Sequence, residues 1–147
     1  MRKTVTIENT KDLNCIKEDM LTGFFVDWPN PPNSATHLKI LSDSYCSFIA
    51  IDKDTNRIVG FINAISDGVL SAYIPLLEVL PEYQGLGIGS ELIKCILEEL
   101  SDLYMIDVCH DEELSAYYAR FGAHSGNASL FRNYSAQSGK GCCPRKL

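Results

Sequence analysis

The chain is predicted to fold as an α/β domain with a mixed, mostly antiparallel sheet and flanking helices. Three observations predict it. Apolar runs at residues 45–52, 57–66 and 71–80 follow one another with only tight turns between them, the pattern of an antiparallel meander. A glycine-rich turn, Gln84-Gly85-Leu86-Gly87-Ile88-Gly89, joins the third run to an amphipathic helix. A further apolar run at residues 103–108 lies beyond that helix, and a strand–helix–strand crossover makes two strands parallel.

The elements follow in order. Residues 4–8 alternate and are β-branched, which predicts a first strand. Residues 16–25 form a short helical or turn region carrying Met20, Leu21, Phe24 and Phe25. Trp28-Pro29-Asn30-Pro31-Pro32-Asn33 must be a loop, because proline lacks the N–H that a helix interior needs. Ser34 is a suitable N-cap for a helix to about Leu41, with Leu38 and Leu41 inward. Turns at 52–56 and at Asp67-Gly68 separate the strands of the meander. The helix from Gly87 to Leu100 puts Leu92, Ile93, Ile96, Leu97 and Leu100 on one face. Asp111 can cap a helix over 112–121 that Gly122 ends, and residues 130–134 are expected to form a final strand.

At 147 residues the chain has the size of one domain, expected over 1–136, with a flexible Gly/Ser/Lys tail at 137–147. A net charge of −6 without a basic patch argues against a nucleic-acid partner. No apolar run is long enough to span a membrane and no signal peptide precedes the first strand, so a cytoplasmic location is expected. Of the six cysteines, Cys15, Cys46, Cys95 and Cys109 are read as small core hydrophobes with reduced thiols; Cys142 and Cys143 lie in the tail. No C-x-x-C pair is present, so no metal site is expected.

The glycine turn carries the chemistry. Backbone N–H groups at a helix N-terminus have no partner within the helix and sit at the positive end of its dipole, so they suit a phosphate-bearing ligand. Glycine lets a bulky pyrophosphate approach the backbone. A P-loop is excluded because no Gly-Lys-Ser/Thr follows. A nicotinamide fold, with Asp107 as its acidic residue, stays open but expects its glycines after the first strand, whereas three strand-like runs precede them here.

The segment 79–93 resembles the acyl-CoA binding segment of the GNAT superfamily of N-acyltransferases. Gln84, Gly87 and Gly89 match its Gln/Arg-x-x-Gly-x-Gly/Ala core. Ala116-Tyr117-Tyr118-Ala119-Arg120-Phe121-Gly122-Ala123 is similar to the family's aromatic-Tyr-x-x-x-Gly-Phe ending, in the right order downstream. The resemblance implies a sheet whose two central parallel strands splay apart to admit the pantetheine arm. It implies acetyl transfer from acetyl-CoA to an amine. A non-catalytic acyl-CoA-binding regulatory module on the same fold is the alternative. Two departures stand out: Ala123 replaces the family's Phe, and Leu86 removes a charged phosphate contact. Dimerisation is common in the family, though no feature of this sequence shows a homodimer.

The reaction sets three tasks: the ammonium must lose a proton, the oxyanion needs donors, and the thiolate benefits from an acid. By resemblance, main-chain groups of Leu77 and Val79 bind pantetheine. The backbone of Gln84, Gly85, Leu86, Gly87, Ile88 and Gly89, with the Ser90 hydroxyl, binds the pyrophosphate. Tyr118 is the candidate acid, since a phenol is protonated at neutral pH; the alternative is that Tyr117 and Tyr118 both pack the last helix. Glu78, an acid in an apolar strand, is the candidate base, with a solvent-facing position as the alternative and His110 as a rival. Asp111 sits where relatives carry an Asn on pantetheine; its charge favours capping instead. Asp27 and Trp28, with His110, are candidate acceptor contacts for a small-molecule or peptide amine, an acid and an aromatic being suited to a cation. Arg132-Asn133-Tyr134 is a further acceptor-side segment. Cys109 opens a minor route through an acetyl-enzyme.

Overall fold

The computed structural model describes residues 4–139. Its core is a five-stranded sheet in the order β1 (Ile7–Thr10), β2 (Cys46–Asp52), β3 (Arg57–Ser66), β4 (Ser71–Val79) and β5 (Met105–Val108). The first three pairings are antiparallel and β4–β5 is parallel. Helix α1 (Ser34–Asp43) precedes the meander, α2 (Ile88–Glu99) makes the crossover, and α3 (Ser115–Ala119) follows β5 after a 3-10 turn at Glu112–Leu114. The mixed sheet and its order agree with the sequence expectation.

The meander folds as its turns dictate. The Asp67 carboxylate accepts from the N–H groups of Val69, Leu70 and Ser71, closing the β3–β4 turn, and those bonds lower its pKa. Helix α2 lays Leu92, Ile93, Ile96 and Leu100 into the core against Ile49, Ile58, Phe61 and Ile62. Gly60 makes this close packing possible: a Cβ there would stand 3.2 Å from both Ile88 Cγ2 and Leu92 Cδ1.

Several expectations need correction. The first strand is Ile7–Thr10 rather than 4–8, because its register is set by β2, with Ile7 opposite Asp52 and Thr10 opposite Ile49. Asn33, not Ser34, caps α1: its side chain accepts from Thr36 N at 2.8 Å, while Ser34 Oγ donates to the Leu21 carbonyl at 3.3 Å. Asp111 holds the N-cap position of the 3-10 turn, but its side chain makes no capping bond. No strand forms at 130–134. Leu130, Phe131 and Tyr134 stay mostly exposed, and the sheet ends at β5 with no partner edge supplied to this segment. Cys15 is exposed rather than core, whereas Cys46, Cys95 and Cys109 are half-buried. Cys142 and Cys143 lie outside the described residues. Gln137 Oε1 accepts from Asn30 N at 3.0 Å, so residue 137 touches the loop before α1.

Candidate functional site

β4 and β5 part company half-way along β4. Their ladder runs from Ser71–Met105 to Ile74–Val108 and goes no further. The next residue is Pro75, which has no N–H to donate. On its other side, Ile74 and Pro75 together oppose Ala64 of β3, a bulge that bends the strand. Beyond this point the strands enclose a cleft of about 640 Å³.

One wall of the cleft is the free half of β4, with Leu76, Leu77, Glu78 and Val79. The opposite wall is Val108, Cys109, His110, Asp111, Leu114 and Tyr118. Asp27, Trp28 and Arg132 also line it. The structure therefore brings together the candidate acid and base, the pantetheine-side positions Leu77 and Val79, and the proposed acceptor contacts. Gln84 is at the edge of the same cleft.

Glu78 is tied down. One carboxylate oxygen accepts from Phe25 N at 2.9 Å and the other from Val26 N at 3.3 Å. This hold supports a loop in unusual backbone geometry, with Phe25 at φ 61° and Asp27 at φ 65°. The Phe25 ring is buried against Trp28, His37 and Phe61, at 5.0, 4.9 and 6.1 Å between centroids. Each carboxylate oxygen has two lone pairs, so Glu78 keeps acceptor capacity beyond these two bonds.

Tyr118 is half-buried, and burial, with Tyr117 beside it, raises its pKa above the usual 10.0. Its ring stacks on His110, 4.8 Å between centroids and 23° between planes. His110 Nδ1 lies 2.7 Å from the Asp111 carbonyl oxygen, which can only accept, so Nδ1 carries a proton. Cys109 is adjacent to Tyr73.

The glycine turn lies off this cleft, past the end of β4. Gln84 Nε2 donates to the Val79 carbonyl at 3.0 Å and so couples the turn to the strand end. Gly85 and Gly87 have φ 77° and 82°, a conformation that disfavours other residues, and a Cβ at either would meet nothing within 4 Å. Gly87 is the N-cap of α2 and supplies no side-chain bond. Glu91 N is the first to find a helical acceptor, Gly87 O at 3.1 Å, which leaves the N–H groups of Ile88, Gly89 and Ser90 without one. The Ile88 side chain is buried in the core, and only its backbone faces the turn's chemistry. Ser90 Oγ stands 3.3 Å from the Tyr117 hydroxyl, which places Tyr117 as packing for this turn. Leu86 is exposed and lines a separate groove with Gly87 and β1.

Pro75 and Arg132 matter more than their sequence context suggested. A proline inside an apolar strand was the available signal for the parting. Arg132 carried none that spacing could supply.

Residues 13–123 match the model of the acetyltransferase (GNAT) family. The chain belongs to the GNAT acetyltransferase family. It is 41% identical to a Deinococcus radiodurans protein assigned as an acetyltransferase, whose crystal structure superposes with a TM-score of 0.86 over 90% of this chain and 92% of that one. A GNAT-family acetyltransferase of Streptococcus pneumoniae is 26% identical, with a TM-score of 0.68 over 88% of this chain and 98% of that one. An uncharacterised N-acetyltransferase, ycf52 of Porphyra purpurea, is 26% identical over 82% of this chain and 70% of its own length. The nicotinamide alternative is thereby set aside in favour of a GNAT acetyltransferase. Among the described residues, no helix of this acetyltransferase is long and apolar enough to cross a membrane, and no cluster of His, Cys, Asp and Glu is arranged to hold a metal ion.

Proposed function

We propose that the protein is a cytoplasmic N-acetyltransferase that moves the acetyl group of acetyl-CoA to a primary amine by direct attack in a ternary complex. The observation that carries this reading is the parting of β4 and β5 at Pro75, with Glu78 on one wall and Tyr118 on the other. The open space over Gly85 and Gly87 and the unsatisfied N–H groups that follow suit a pyrophosphate. The free half of β4 offers main-chain groups at Leu77 and Val79 to the pantetheine amides.

The acceptor enters past Asp27 and Trp28, whose acid and ring attract an ammonium group. Glu78, directly or through a water, takes the proton that frees the amine lone pair. The amine nitrogen attacks the thioester carbonyl, the new C–N bond forms, and the C–S bond breaks. Tyr118 gives its proton to the leaving thiolate and regains one from the attacking nitrogen, which sheds its surplus proton as the amide forms; burial keeps the phenol in its donor form throughout the neutral range. His110, stacked on Tyr118, holds that ring.

One observation favours a second reading. Glu78 already binds two backbone N–H groups, which suits a structural anchor in a non-catalytic acyl-CoA-binding module. Calorimetric titration with acetyl-CoA, CoA and NADH tests the first point. Saturable acetyl-CoA binding without NADH binding supports the cosubstrate, and no CoA binding sinks both readings. Turnover of an amine that Tyr118→Phe lowers on the order of a hundredfold then separates enzyme from binding module.

A further inference from the structure

The charges that line the cleft are unevenly distributed. Among the described residues lining it, the acids are Asp27, Glu78 and Asp111, and Arg132 is the one permanent cation. No ion pair among the described residues involves Arg132. Its Nη1 donates to the Phe131 carbonyl at 3.1 Å, and most of the donors of the guanidinium fork are left for a ligand.

The segment that carries Arg132 is fastened beside the cleft. Asn133 Oδ1 accepts from Ser135 N at 3.2 Å and from Ser135 Oγ at 2.6 Å. Gln137 Oε1 accepts from Asn30 N, on the loop that also carries Asp27 and Trp28.

Strand register places the two signs of charge. Glu78 stands opposite Phe61, Leu76 opposite Asn63 and Tyr73 opposite Ile65, so Tyr73, Leu76 and Glu78 share one face of the sheet. This is the α1 face, where the Phe61 ring meets His37 and Asn63 Nδ2 donates to Ser44 Oγ. Burial and the Cys109 thiol raise the Tyr73 pKa, and Arg132 opposes the rise, so its charge acts at the Tyr73 end of this face. Tyr73 precedes Glu78 by five residues, roughly 15 Å along the strand. Asp27 belongs with Glu78, whose carboxylate binds the N–H of the neighbouring Val26. One face of the cleft therefore has a negative pole at Glu78 and Asp27 and a positive pole at Arg132.

We propose that Arg132 binds a carboxylate of the acceptor, and that the acceptor is a free amino acid whose ammonium group lies towards Glu78 and Asp27. The inference rests on the acyltransferase reading of the cleft and names its acceptor class. A planar guanidinium fork matches a carboxylate in shape and in charge. A phosphate dianion is disfavoured, because one guanidinium neutralises half of it and the acids of the cleft repel the rest.

The test is acetyl-CoA-dependent thiol release with glycine, L-phenylalanine, L-lysine, γ-aminobutyrate and 6-aminohexanoate, each against its own carboxamide, and with O-phosphoethanolamine. The carboxamide keeps the amine and the length and removes the charge. For the best pair, kcat/KM of the free acid should exceed that of the carboxamide by about tenfold. Arg132→Ala should bring this ratio to about one, and Arg132→Glu should invert it. Equal use of acids and carboxamides by the wild type overturns the assignment and leaves the acyltransferase reading intact. So does a preference that survives Arg132→Glu, or a phosphoethanolamine rate above that of every amino acid. A protein that binds acetyl-CoA and acetylates none of these compounds also overturns the amino-acid assignment, whereas one that binds no acetyl-CoA removes the acyltransferase reading itself.

Discussion

The two walls of the cleft are built differently. The β4 wall is one side of a continuous antiparallel ladder with β3, and Phe61 and the Phe25 loop brace it from behind. Its candidate base, Glu78, is held by two hydrogen bonds from that loop. The opposite wall hangs on a four-residue parallel ladder, a 3-10 turn and a five-residue helix, and among the described hydrogen bonds and ring contacts its Tyr118 is oriented by the rings of His110 and Tyr117. Hydrogen-bonded strand pairing fixes position more stringently than stacking of half-buried rings. The β4 wall therefore supplies the fixed geometry of the site, and the β5–α3 wall is the one that can adjust to a ligand.

The strongest way to break the fixed wall is acid. His37 of α1 is buried among Phe24, Phe25 and Phe61, with neither ring nitrogen hydrogen-bonded, and burial lowers its pKa from 6.5 to about 4. The unfolded chain then binds a proton that the folded one refuses, so stability is full above pH 6.5 and declines as pH falls towards 4. The loss is roughly 3 kcal/mol from this group. Urea denaturation at stepped pH should show that slope, and His37→Phe should flatten it. An unchanged slope in the variant would place the acid sensitivity elsewhere.

The adjustable wall is tested by Tyr118→Phe. Removing the proton donor is expected to lower kcat on the order of a hundredfold, with little change in thermal stability or acetyl-CoA affinity. Thiol release in the presence of a turned-over amine reads the rate. A variant of full activity would return Tyr118 to packing.

Glu78→Gln sharpens the contrast because it separates two functions of one side chain. The amide retains one acceptor oxygen for the loop and loses the base. Turnover should fall by one to two orders of magnitude, on the order of a general-base contribution, and stability by about 1 kcal/mol. A stability loss with turnover unchanged would make the residue an anchor only.

The smallest effects lie at the turn. Gly87→Ala forces a side chain into φ 82° and should cost about 1–2 kcal/mol, measured by thermal melting, without a steric clash. Acetyl-CoA binding should weaken in parallel if the turn carries the pyrophosphate. At Gly89 a Cβ would stand 3.3 Å from the Tyr117 hydroxyl, which must give way in Gly89→Ala, so Tyr117→Phe should relieve part of that cost.

Local pattern determined a good deal of this protein. Alternation and turn residues gave the three-strand meander, the 3.6-residue period gave the buried face of α2, and Gln84, Gly87 and Gly89 with the Tyr118–Gly122 segment pointed to the family. These signals are legible because each is a short-range constraint: a period, a positive φ, a missing Cβ. The register of β1, the failure of residues 130–134 to form a strand, the anchoring of Phe25 and Val26 by Glu78 and the burial of His37 were decided only by tertiary structure. Each depends on what stands opposite in space. A strand needs a partner edge, a carboxylate needs donors from 53 residues away, and a histidine's pKa falls to about 4 only when burial among three phenylalanines desolvates it.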